Sequence, residues 1–482
     1  MKSCLSRNTL KILAAFTAAL LLTACVDTPP TEPQVKEIAP ESLGLSGPPM
    51  AGVPDEWWKG FNDPQIDRLA VAMLRGNPTL AAALARIRAA QAEVSSEQAA
   101  DRPQAALDGS EQRTLFSKDY IIPPPYGGSW RWYGQLTANF TWNLDFWGKQ
   151  AALIAKARDT AQAAAYDAAA ARLALSGALA QTYINLMLAY QNGDIADATV
   201  AERETILKLT QGRYESGLEN AAAVEQAKTL LAQAKIDRMR FAAQRELDVH
   251  AIAALIGEGA AAYPTIVRPA PALDAALPLP RTLPADLLAR RPDILAARAR
   301  VAAAAKGREA AHAAFYPDIN LTALIGFQAI GLSNLISGDA FTTGIGPALH
   351  LPIFDAGKIR AGYAGATAGL DVAVADYNGA VVNAIRQTAD AMTQVASLEA
   401  RRGEARDALD SATRAFDLAQ DRYRLGLANQ LPMLSAEAGV LQARQQAAGI
   451  AADATAQRVT LLLAAGGAFH DTGRQADIAK QD

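Results

Sequence analysis

One cysteine near the N-terminus gives the clearest chemical signal in the sequence. Cys25 closes the motif Leu22-Thr23-Ala24-Cys25, which follows a positively charged start and an apolar run that begins at Ile12. Such a run is too short to span a bilayer and is typical of a secretory signal peptide. The motif fits the bacterial lipobox, so we expect cleavage before Cys25 and attachment of lipid to its thiol. The alternative is an ordinary signal peptide with an incidental cysteine.

Cleavage at that point would change the charge and the thiol content of the chain. Residues 1–24 contain Cys4 and three positively charged side chains, so their loss lowers the formal charge from -3 to -6. With Cys25 acylated, no free thiol remains and a disulfide scaffold is excluded. A near-neutral charge without a basic stripe argues against nucleic acid as a partner. Val26, in place of aspartate, resembles the outer-membrane sorting signal of lipoproteins.

Residues suited to catalysis or metal binding are not clustered in the sequence. There is no HExxH motif, no GxSxG motif and no P-loop. Arg290 and Arg291 could hold a phosphate, but at the start of a helix after Pro284 we expect them to be solvated. The histidines have no metal-ligand spacing and are interpreted as surface or packing residues: His250, His312, His350 and His470. We therefore expect no enzyme activity and no cofactor other than the covalent lipid.

The elements around these residues occur twice, because the chain is a tandem duplication. The matching pieces are 77–78 with 291–292 at an offset of 214, and 144–149 with 353–358 and 213–218 with 422–427 at an offset of 209. Each half is predicted to hold a pair of strands and a very long helical hairpin.

One of these strands has an especially clear pattern. From Gln135 to Leu144, apolar and polar residues alternate strictly, with Phe140 and Trp142 on the apolar side. This pattern is typical of a transmembrane β-strand with lipid outside and water inside, and an amphipathic strand of a soluble sandwich is the alternative. Other strands are predicted at 104–114, 318–323 and 344–353. Four strands cannot close a barrel, so membrane insertion would require oligomerisation.

Long helices follow each pair of strands. The intervals from Gly148 to Gly217 and from Gly357 to Gly426 contain no proline, and helices of that length would extend about 100 Å. Each glycine turn is followed by a returning helix. Asp63-Pro64 opens another helix, of about 35 residues. The predicted fold class is therefore mainly α, with a transmembrane β-barrel portion.

The predicted organisation has six parts. They are a signal peptide at 1–24, a lipid-anchored extended N-terminal segment at 25–63, a first repeat at 64–265, a proline-rich inter-repeat connection at 266–284, a second repeat at 285–466 and a C-terminal tail at 467–482. The first repeat is expected to contain a helix, two strands and a long helical hairpin, and the second to repeat that plan.

Several short motifs, spread over nearly the whole mature chain, resemble those of one family. They are Trp57-Trp58-x-x-Phe61-x-Asp63-Pro64, Asn77-Pro78-x-Leu80, Leu144-Asp145-x-Trp147-Gly148-Lys149, Arg290-Arg291-Pro292-Asp293-Ile294, Leu351-Pro352-Ile353-Phe354-Asp355-x-Gly357 and Arg422-Tyr423-x-x-Gly426-x-x-Asn429. In this order, and with the lipobox, they resemble the TolC-type outer-membrane factors, in the lipoprotein (OprM/NodT-like) branch of tripartite RND efflux systems. The resemblance implies a homotrimer with one shared 12-stranded barrel above an α-helical tunnel in the periplasm.

The same resemblance implies a function and a set of site residues. The channel would be a passive exit duct for small molecules, working with a periplasmic adaptor protein and an inner-membrane RND transporter. A closed periplasmic gate is implied at Arg422, Leu431 and Ser435, where Ser435 stands in place of the family's aspartate. Backbone carbonyls or Glu437 are the candidate partners of Arg422. Adaptor docking is implied at the two glycine turns, which contain Gly217, Leu218, Gly426 and Leu427.

Other functions remain open alongside this one. A type I protein-secretion channel would share the same fold, although the lipobox favours the efflux branch. A lipid-anchored helical spacer or adhesin without a pore would not need alternating strands. An enzyme carried on a helical lipoprotein would need clustered nucleophiles, bases or metal ligands.

Overall fold

The computed structural model of the chain describes residues 31–45, 47–48, 53–119, 121–270, 277, 279–280, 282–284 and 286–469. The predicted signal peptide, Cys25 and most of the predicted C-terminal tail lie outside these residues. The chain divides into two compact units. The first takes in the chain up to Glu37 with Ile87–Ala163 and Ala297–Tyr377, and the second takes in Ile38–Arg86, Ala164–Ala296 and the chain from Asn378. Each unit therefore draws on both halves of the duplicated sequence.

The first unit contains a four-stranded antiparallel sheet. Its strands are β1 (Gln104–Leu115), β2 (Trp130–Asn143), β3 (Asp318–Ile330) and β4 (Phe341–His350), which lie side by side in that order. The four predicted strands are therefore confirmed. β4 ends at His350 rather than at Ile353, because the residue paired with His350 is Asp318, the first residue of β3.

The register of the sheet separates an apolar face from a polar face. Phe140 lies opposite Ala323, so these two apolar side chains share one face. Thr141 lies opposite Thr322 on the other face, because successive side chains of a strand point to opposite sides. The alternation predicted for β2 thus continues into β3.

Helices make up most of the remaining described residues. The α-helices there are α1 (Pro64–Gly76), α2 (Pro78–Ala100), α3 (Lys149–Glu215), α4 (Ala221–Leu255), α5 (Leu287–Arg290), α6 (Pro292–Ala313), α7 (Lys358–Arg424) and α8 (Gln430–Ala464). Short 3-10 helices lie at Pro40–Leu43, Trp57–Phe61, Ala260–Thr265, Leu332–Asn334 and Gly338–Ala340. Within the residues described, none of the helices has an apolar stretch that could span a bilayer.

The two long hairpins predicted from the duplication are confirmed. α3 and α7 have 67 residues each, and the returning helices α4 and α8 have 35 residues each. Every boundary of the second hairpin lies 209 residues after its counterpart in the first. The duplication is therefore as regular in the backbone as in the motifs.

The helix predicted to run without a break from Asp63-Pro64 is interrupted at Asn77. Asn77 is extended (φ -68°, ψ 121°), because the ring of Pro78 disfavours a helical conformation in the preceding residue. Its side-chain oxygen accepts hydrogen bonds from the backbone N–H groups of Thr79 and Leu80 and so caps α2. Its amide nitrogen donates to the carbonyl of Leu255, at the end of α4.

Arg291 has the equivalent position in the second repeat, and its predicted solvation is wrong. The side chain is 9% exposed. Its Nη1 donates to the carbonyl of Ala464 at 3.0 Å, and its Nη2 donates to Gln387 at 3.0 Å. Ala464 ends α8 as Leu255 ends α4. The residue before each repeated proline therefore binds a C-terminal carbonyl of the returning helix of its own repeat, which explains why both are polar.

The core of the second unit includes the 3-10 helix Trp57–Phe61. Trp57, Trp58 and Phe61 are buried there together with Leu179 and Tyr183 of α3. Burial of three large aromatic side chains stabilises this segment against α1 and α3. The end of the predicted extended N-terminal segment, 25–63, is therefore not extended.

Two polar residues at the start of α1 connect this core to the inter-repeat connection. Asp63 accepts hydrogen bonds from the backbone of Ala270 at 2.8 Å and from the hydroxyl of Tyr183. Gln65 accepts from the backbone of Val267 at 2.9 Å. Burial, with the carboxylate of Asp63, raises the pKa of Tyr183, so its hydroxyl remains a hydrogen-bond donor.

Candidate functional site

The two long hairpins end in turns that share one hydrogen-bond pattern. We call these turns the first tip (216–220, between α3 and α4) and the second tip (425–429, between α7 and α8). The backbone N–H of Leu218 donates to the carbonyl of Arg213 at 2.8 Å, and that of Leu427 donates to the carbonyl of Arg422 at 2.8 Å. This six-to-one bond is that of a Schellman C-cap.

A glycine in the left-handed conformation makes each turn possible. Gly217 has φ +70° and Gly426 has φ +73°, a region that glycine enters without steric cost. A Cβ atom at either position would meet nothing within 4 Å. The requirement for glycine is therefore conformational rather than a matter of space.

Apolar side chains project from both tips. Leu218 of the first tip is 66% exposed, and Leu425 and Leu427 of the second are 73% and 68% exposed. Leu425 and Leu427 lie in the same turn, and neighbouring exposed apolar side chains are typical of an interaction surface. The structure thus places the residues predicted for adaptor docking, Gly217-Leu218 and Gly426-Leu427, at the outermost turns of the hairpins, where docking remains a prediction.

The three predicted gate residues all belong to the second hairpin. Arg422 lies in the last turn of α7. Leu431 and Ser435 lie one turn apart on α8, and all three side chains are exposed. A spacing of four residues puts Leu431 and Ser435 on one face of the helix. Their part in a gate remains a prediction.

Glu437, a predicted partner of Arg422, is instead paired with Arg203 of the first hairpin. Nε of Arg203 lies 3.0 Å from Oε1 of Glu437, and its Nη1 donates to the carbonyl of Leu230 at 2.7 Å. Glu437 is 1% exposed. Arg203 therefore joins three helices, α3, α4 and α8. Backbone carbonyls are left as the predicted partners of Arg422.

A second buried polar pair lies one heptad away from the first. Gln430 donates to the hydroxyl of Thr210 at 2.8 Å, and both side chains are buried. Arg203 and Thr210 are seven residues apart, as are Gln430 and Glu437, so each pair repeats at the coiled-coil period. We call these four residues the polar seam. Apolar residues surround the seam, namely Ile206, Phe416, Tyr423, Met433, Leu434 and Val440.

Tyr423 extends this contact towards the second tip. Its ring is fully buried, and the guanidinium carbon of Arg213 lies 4.8 Å from the ring centroid. A guanidinium over an aromatic face is attracted by the ring quadrupole. The equivalent residue of the first hairpin, Tyr214, is 49% exposed, so the two tips differ although their backbones match.

Burial changes the acid–base behaviour of the polar seam. Burial raises the pKa of Glu437, and the nearby guanidinium of Arg203 offsets part of that increase. Burial and the charge of Glu437 also raise the pKa of Glu202. Removing a carboxylate from water disfavours its charged form, which is why both shifts are upward.

The polar seam was not predicted from the sequence, although a signal for it was present. Polar residues recur at a spacing of seven on α3, at Arg203 and Thr210, and on α8, at Gln430 and Glu437. Apolar residues also recur on α3 at the heptad spacing, and of these Leu179, Tyr183 and Leu186 are buried. Polar residues at the same period are the additional signal that could have revealed the contact.

The remaining predicted residues are not brought together at a second site. Within the residues that the structure describes, no group of three or more His, Cys, Asp or Glu side chains could hold a metal ion. His250 packs on Tyr263, and His312 packs among Phe315 and Tyr363. Cys25 and His470 lie outside the described residues.

Comparison with known proteins decides the family. The chain matches the outer membrane efflux protein family over residues 69–258 and 283–467, which cover most of the first repeat and all of the second. The chain belongs to this family. The predicted resemblance to TolC-type outer-membrane factors is therefore confirmed, and the protein is an outer-membrane efflux channel.

Individual members of the outer membrane efflux protein family match at similar length. The chain is 34% identical over 381 residues to the fusaric acid resistance protein FusA of Burkholderia cepacia, covering 77% of this chain and 71% of FusA. It is 29% identical over 446 residues to the multidrug resistance outer membrane protein MdtP of Escherichia coli K12, covering 90% of each. The crystal structure of the outer membrane protein VceC from Vibrio cholerae has a TM-score of 0.79 at 33% identity, covering 86% of this chain and 99% of VceC.

Proposed function

We propose that three copies of the chain close one barrel in the outer membrane. In the described residues, β1 pairs with β2 alone and β4 pairs with β3 alone, so the sheet has two open edges. Unpaired backbone groups in lipid are prohibitively costly, and pairing β4 of one copy with β1 of the next satisfies both edges. Three copies give 12 strands, which is within the range of known outer-membrane barrels. The proposal rests on one observation: the sheet has an apolar face and a polar face, and both of its edges are unpaired.

The long helices then continue the channel into the periplasm. At 1.5 Å per residue, the 67 residues of α3 and of α7 extend about 100 Å. We propose a passive duct that receives cargo from an inner-membrane RND transporter through a periplasmic adaptor. The exposed leucines of the two tips support adaptor docking at Gly217-Leu218 and Gly426-Leu427.

The names of the relatives favour small molecules as the transported compounds. FusA is named for fusaric acid resistance, and MdtP for multidrug resistance. Both names refer to resistance to small organic compounds, and neither refers to secretion of a protein. We therefore favour efflux over type I protein secretion for this chain.

We further propose that the mature chain carries lipid on Cys25. Support comes from the lipobox and from the outer-membrane location of the family. Metabolic labelling with palmitate tests this directly, because Cys25→Ser removes the acceptor thiol. Wild-type protein should take up the label and the variant should not. Label retained by Cys25→Ser would show that another residue carries it.

A closed state of the channel is proposed at the second tip. Leu431 would supply an apolar ring that resists wetting, with three copies around the channel axis. Arg422 would donate hydrogen bonds to backbone carbonyls of a neighbouring helix, and Ser435 would contribute a polar group without charge. The exposure of all three side chains supports this proposal, because a residue buried within one copy could not line an aperture.

The oligomeric state is the first experiment that tests the channel. Light scattering of the detergent-purified protein should give a protein mass of about three chains, once the detergent is subtracted. Planar-bilayer recordings of the same sample should show steady conductance. A stable monomer would contradict the shared barrel, and a trimer without conductance would contradict the duct.

A further inference from the structure

The first described residues of the chain lie in an extended segment on the first unit. We call residues 31–37 the strap. Thr31, Pro33 and Val35 are half-buried, whereas Glu32, Gln34 and Lys36 are exposed. Alternation with a period of two is typical of an extended segment that rests on a surface by one side. The strap therefore lies against the protein rather than free of it.

Polar side chains of α6 and α7 hold the strap. One oxygen of Asp371 accepts hydrogen bonds from the backbone N–H groups of Gln34 and Val35, at 2.8 and 3.0 Å. Nη2 of Arg308 donates to the carbonyl of Thr31 at 3.1 Å. Bonds from a charged side chain to backbone groups are among the stronger hydrogen bonds in proteins.

Packing fixes Arg308 in the orientation that this contact needs. Its Nε donates to the hydroxyl of Thr367 at 3.2 Å, and its guanidinium carbon lies 5.1 Å from the ring centroid of Tyr363. Tyr363, Thr367 and Asp371 follow one another at a spacing of four, so they share one face of α7. We call Arg308, Thr367 and Asp371 the seat.

The duplication offers an internal control for the seat. In the first repeat, the positions of Arg308, Thr367 and Asp371 are occupied by Val94, Arg158 and Gln162. None of these side chains reproduces the charge or the hydroxyl of its counterpart. A chain has two repeats and one N-terminus, so a seat built for the N-terminal segment is required once. The two repeats therefore differ in sequence at the positions that hold the N-terminal segment.

The seat is close to the point where helix gives way to strand. Arg308 lies five residues before α6 ends at Ala313, a rise of about 8 Å. At that junction, Trp147 stacks on Tyr316 at 4.8 Å, and its ring N–H donates to the carbonyl of Pro317. Tryptophan and tyrosine are enriched where a membrane protein meets the lipid headgroups.

We propose that the seat docks the N-terminal strap and so fixes where the lipid of Cys25 enters the membrane. This inference rests on the lipidation proposed above. Six residue steps separate Cys25 from Thr31, so they can reach at most about 20 Å. A strap held at Arg308 and Asp371 therefore confines the acyl chains to the periplasmic leaflet close to the strand–helix junction. The seat acts by positioning the anchor rather than by binding the lipid.

Limited trypsin digestion of the purified full-length trimer tests the seat. Lys36 lies in the strap, and a protease needs the strap to detach before it can cut after this residue. Loss of a charged hydrogen-bonding partner should make cleavage about tenfold faster in Asp371→Ala. The matched control is Gln162→Ala, at the equivalent position of the first repeat, which should be cut at the wild-type rate. Equal rates in the wild type and in Asp371→Ala would overturn the proposal.

A second variant tests the same contact without changing a residue of α7. Gln34→Pro removes one donor N–H from the strap and leaves every helix unchanged. It should accelerate the same cleavage while helix content and conductance stay at wild-type values. If Gln34→Pro were cut no faster than the wild type, the seat would not hold the strap.

The released fragment also separates this inference from the proposed lipidation. In palmitate-labelled protein, cleavage after Lys36 should remove the label from the trimer. A protected strap without label would contradict lipidation and leave docking intact. A labelled protein cut at equal rates in all variants would contradict docking and leave lipidation intact.

Discussion

Where the second hairpin has the buried Glu437, the first hairpin has Lys228, 209 residues earlier. Glu437 pairs with Arg203 out of contact with water, whereas Lys228 lies at the surface beside Glu225. The reciprocal position differs too, because Arg203 corresponds to Ala412 in the second repeat. The duplicated helices therefore have a buried ion pair, Arg203–Glu437, at two positions. At the equivalent two positions they have Ala412 and the surface residue Lys228.

This difference shows which features a duplication must keep and which it can change. The turn glycines Gly217 and Gly426 are kept, because glycine adopts the left-handed conformation without steric cost. The prolines Pro78 and Pro292 are kept at matching helix starts. Side chains that meet across hairpins are free to diverge, and the polar seam and the seat of the strap result from that freedom. The two hairpins of one chain are consequently not interchangeable.

The largest expected effect concerns the sheet, where the two repeats should be equivalent. Phe140→Arg in β2 and Leu321→Arg in β3 each place a charge on the apolar face. Depending on its depth in the bilayer, such a charge costs up to about 2–4 kcal/mol in every copy of the trimer. We expect both variants to be largely lost from the outer-membrane fraction, as measured by membrane fractionation and immunoblotting.

Thr141→Arg is the matched control, because Thr141 neighbours Phe140 and points to the polar face. It should reach the membrane in nearly wild-type amount. Equal loss of Thr141→Arg and Phe140→Arg would show that the faces are wrongly assigned. Tolerance of Leu321→Arg alone would show that the repeats differ even in the sheet.

The next effect concerns the polar seam, where the hairpins differ most. Arg203→Met leaves the carboxylate of Glu437 buried without its partner, which should cost about 3–5 kcal/mol. Urea unfolding of the purified trimer, followed by circular dichroism, measures the change. Lys228→Met is the control in the first hairpin, and loss of its exposed pair should cost at most about 0.5 kcal/mol.

A double variant sharpens the result. Arg203→Met with Glu437→Met removes both charges and should recover much of the lost stability, since a well-packed apolar pair can replace a buried ion pair. If the two single variants, Arg203→Met and Lys228→Met, destabilised the trimer equally, burial of the Arg203 pair would not matter for stability.

Sequence patterns predicted the parts of this fold that depend on local chemistry. Proline and glycine act on their own neighbours, so Pro78, Gly217 and Gly426 indicated boundaries that the structure has. The alternation of polar and apolar residues along β2 indicated its two faces, because successive side chains of a strand point to opposite sides. The break at Asn77 was the exception: one helix was predicted across Asn77-Pro78, although a proline disfavours the helical conformation in the residue before it.

Contacts between distant parts of the chain could not be predicted in the same way. Arg203 and Glu437 are 234 residues apart, and nothing local tells a buried polar residue from a solvated one. Arg291 was expected to be solvated because it lies at the start of a helix after Pro284, yet it binds the end of α8. In both cases the packing of helices determines the environment of the side chain.

The third prediction tests whether the gate belongs to the second hairpin. Arg422→Ala with Leu431→Ser removes a donor and an apolar ring from the second tip. A charge-assisted hydrogen bond contributes about 1.5–3 kcal/mol, so its loss should raise the open-to-closed ratio about tenfold or more. Single-channel conductance in planar bilayers should rise. Ala222→Ser, at the position equivalent to Leu431 in the first hairpin, should leave it unchanged.

Two outcomes would contradict that gate. Unchanged conductance in the double variant, with the trimer intact, would place the constriction elsewhere. An equal rise in Ala222→Ser would mean that both hairpins form the aperture, and the difference between the tips would then have no part in gating.

The smallest expected effect is a pH dependence that the second hairpin has and the first lacks. Burial raises the pKa of Glu437 above its ordinary value of 4.5, so the folded state binds this proton more tightly than the unfolded state. The contribution of Glu437 to the free energy of unfolding therefore rises as the pH falls from the pKa of the folded state towards 4.5, and it is constant below pH 4.5.

Glu437→Gln resembles the protonated form of Glu437 and abolishes this dependence of stability on pH. Thermal unfolding of both proteins between pH 7 and about pH 4.5 should show the wild type gaining stability relative to the variant. Glu202 adds a slope to both proteins through its burial, and the smaller part of its pKa increase, which comes from the charge of Glu437, is absent from the variant. Glu246→Gln, on the exposed surface of α4, is the control and should follow the wild type at every pH. A wild-type advantage that grew towards neutral pH instead would mean that attraction to Arg203 outweighs the cost of burying Glu437.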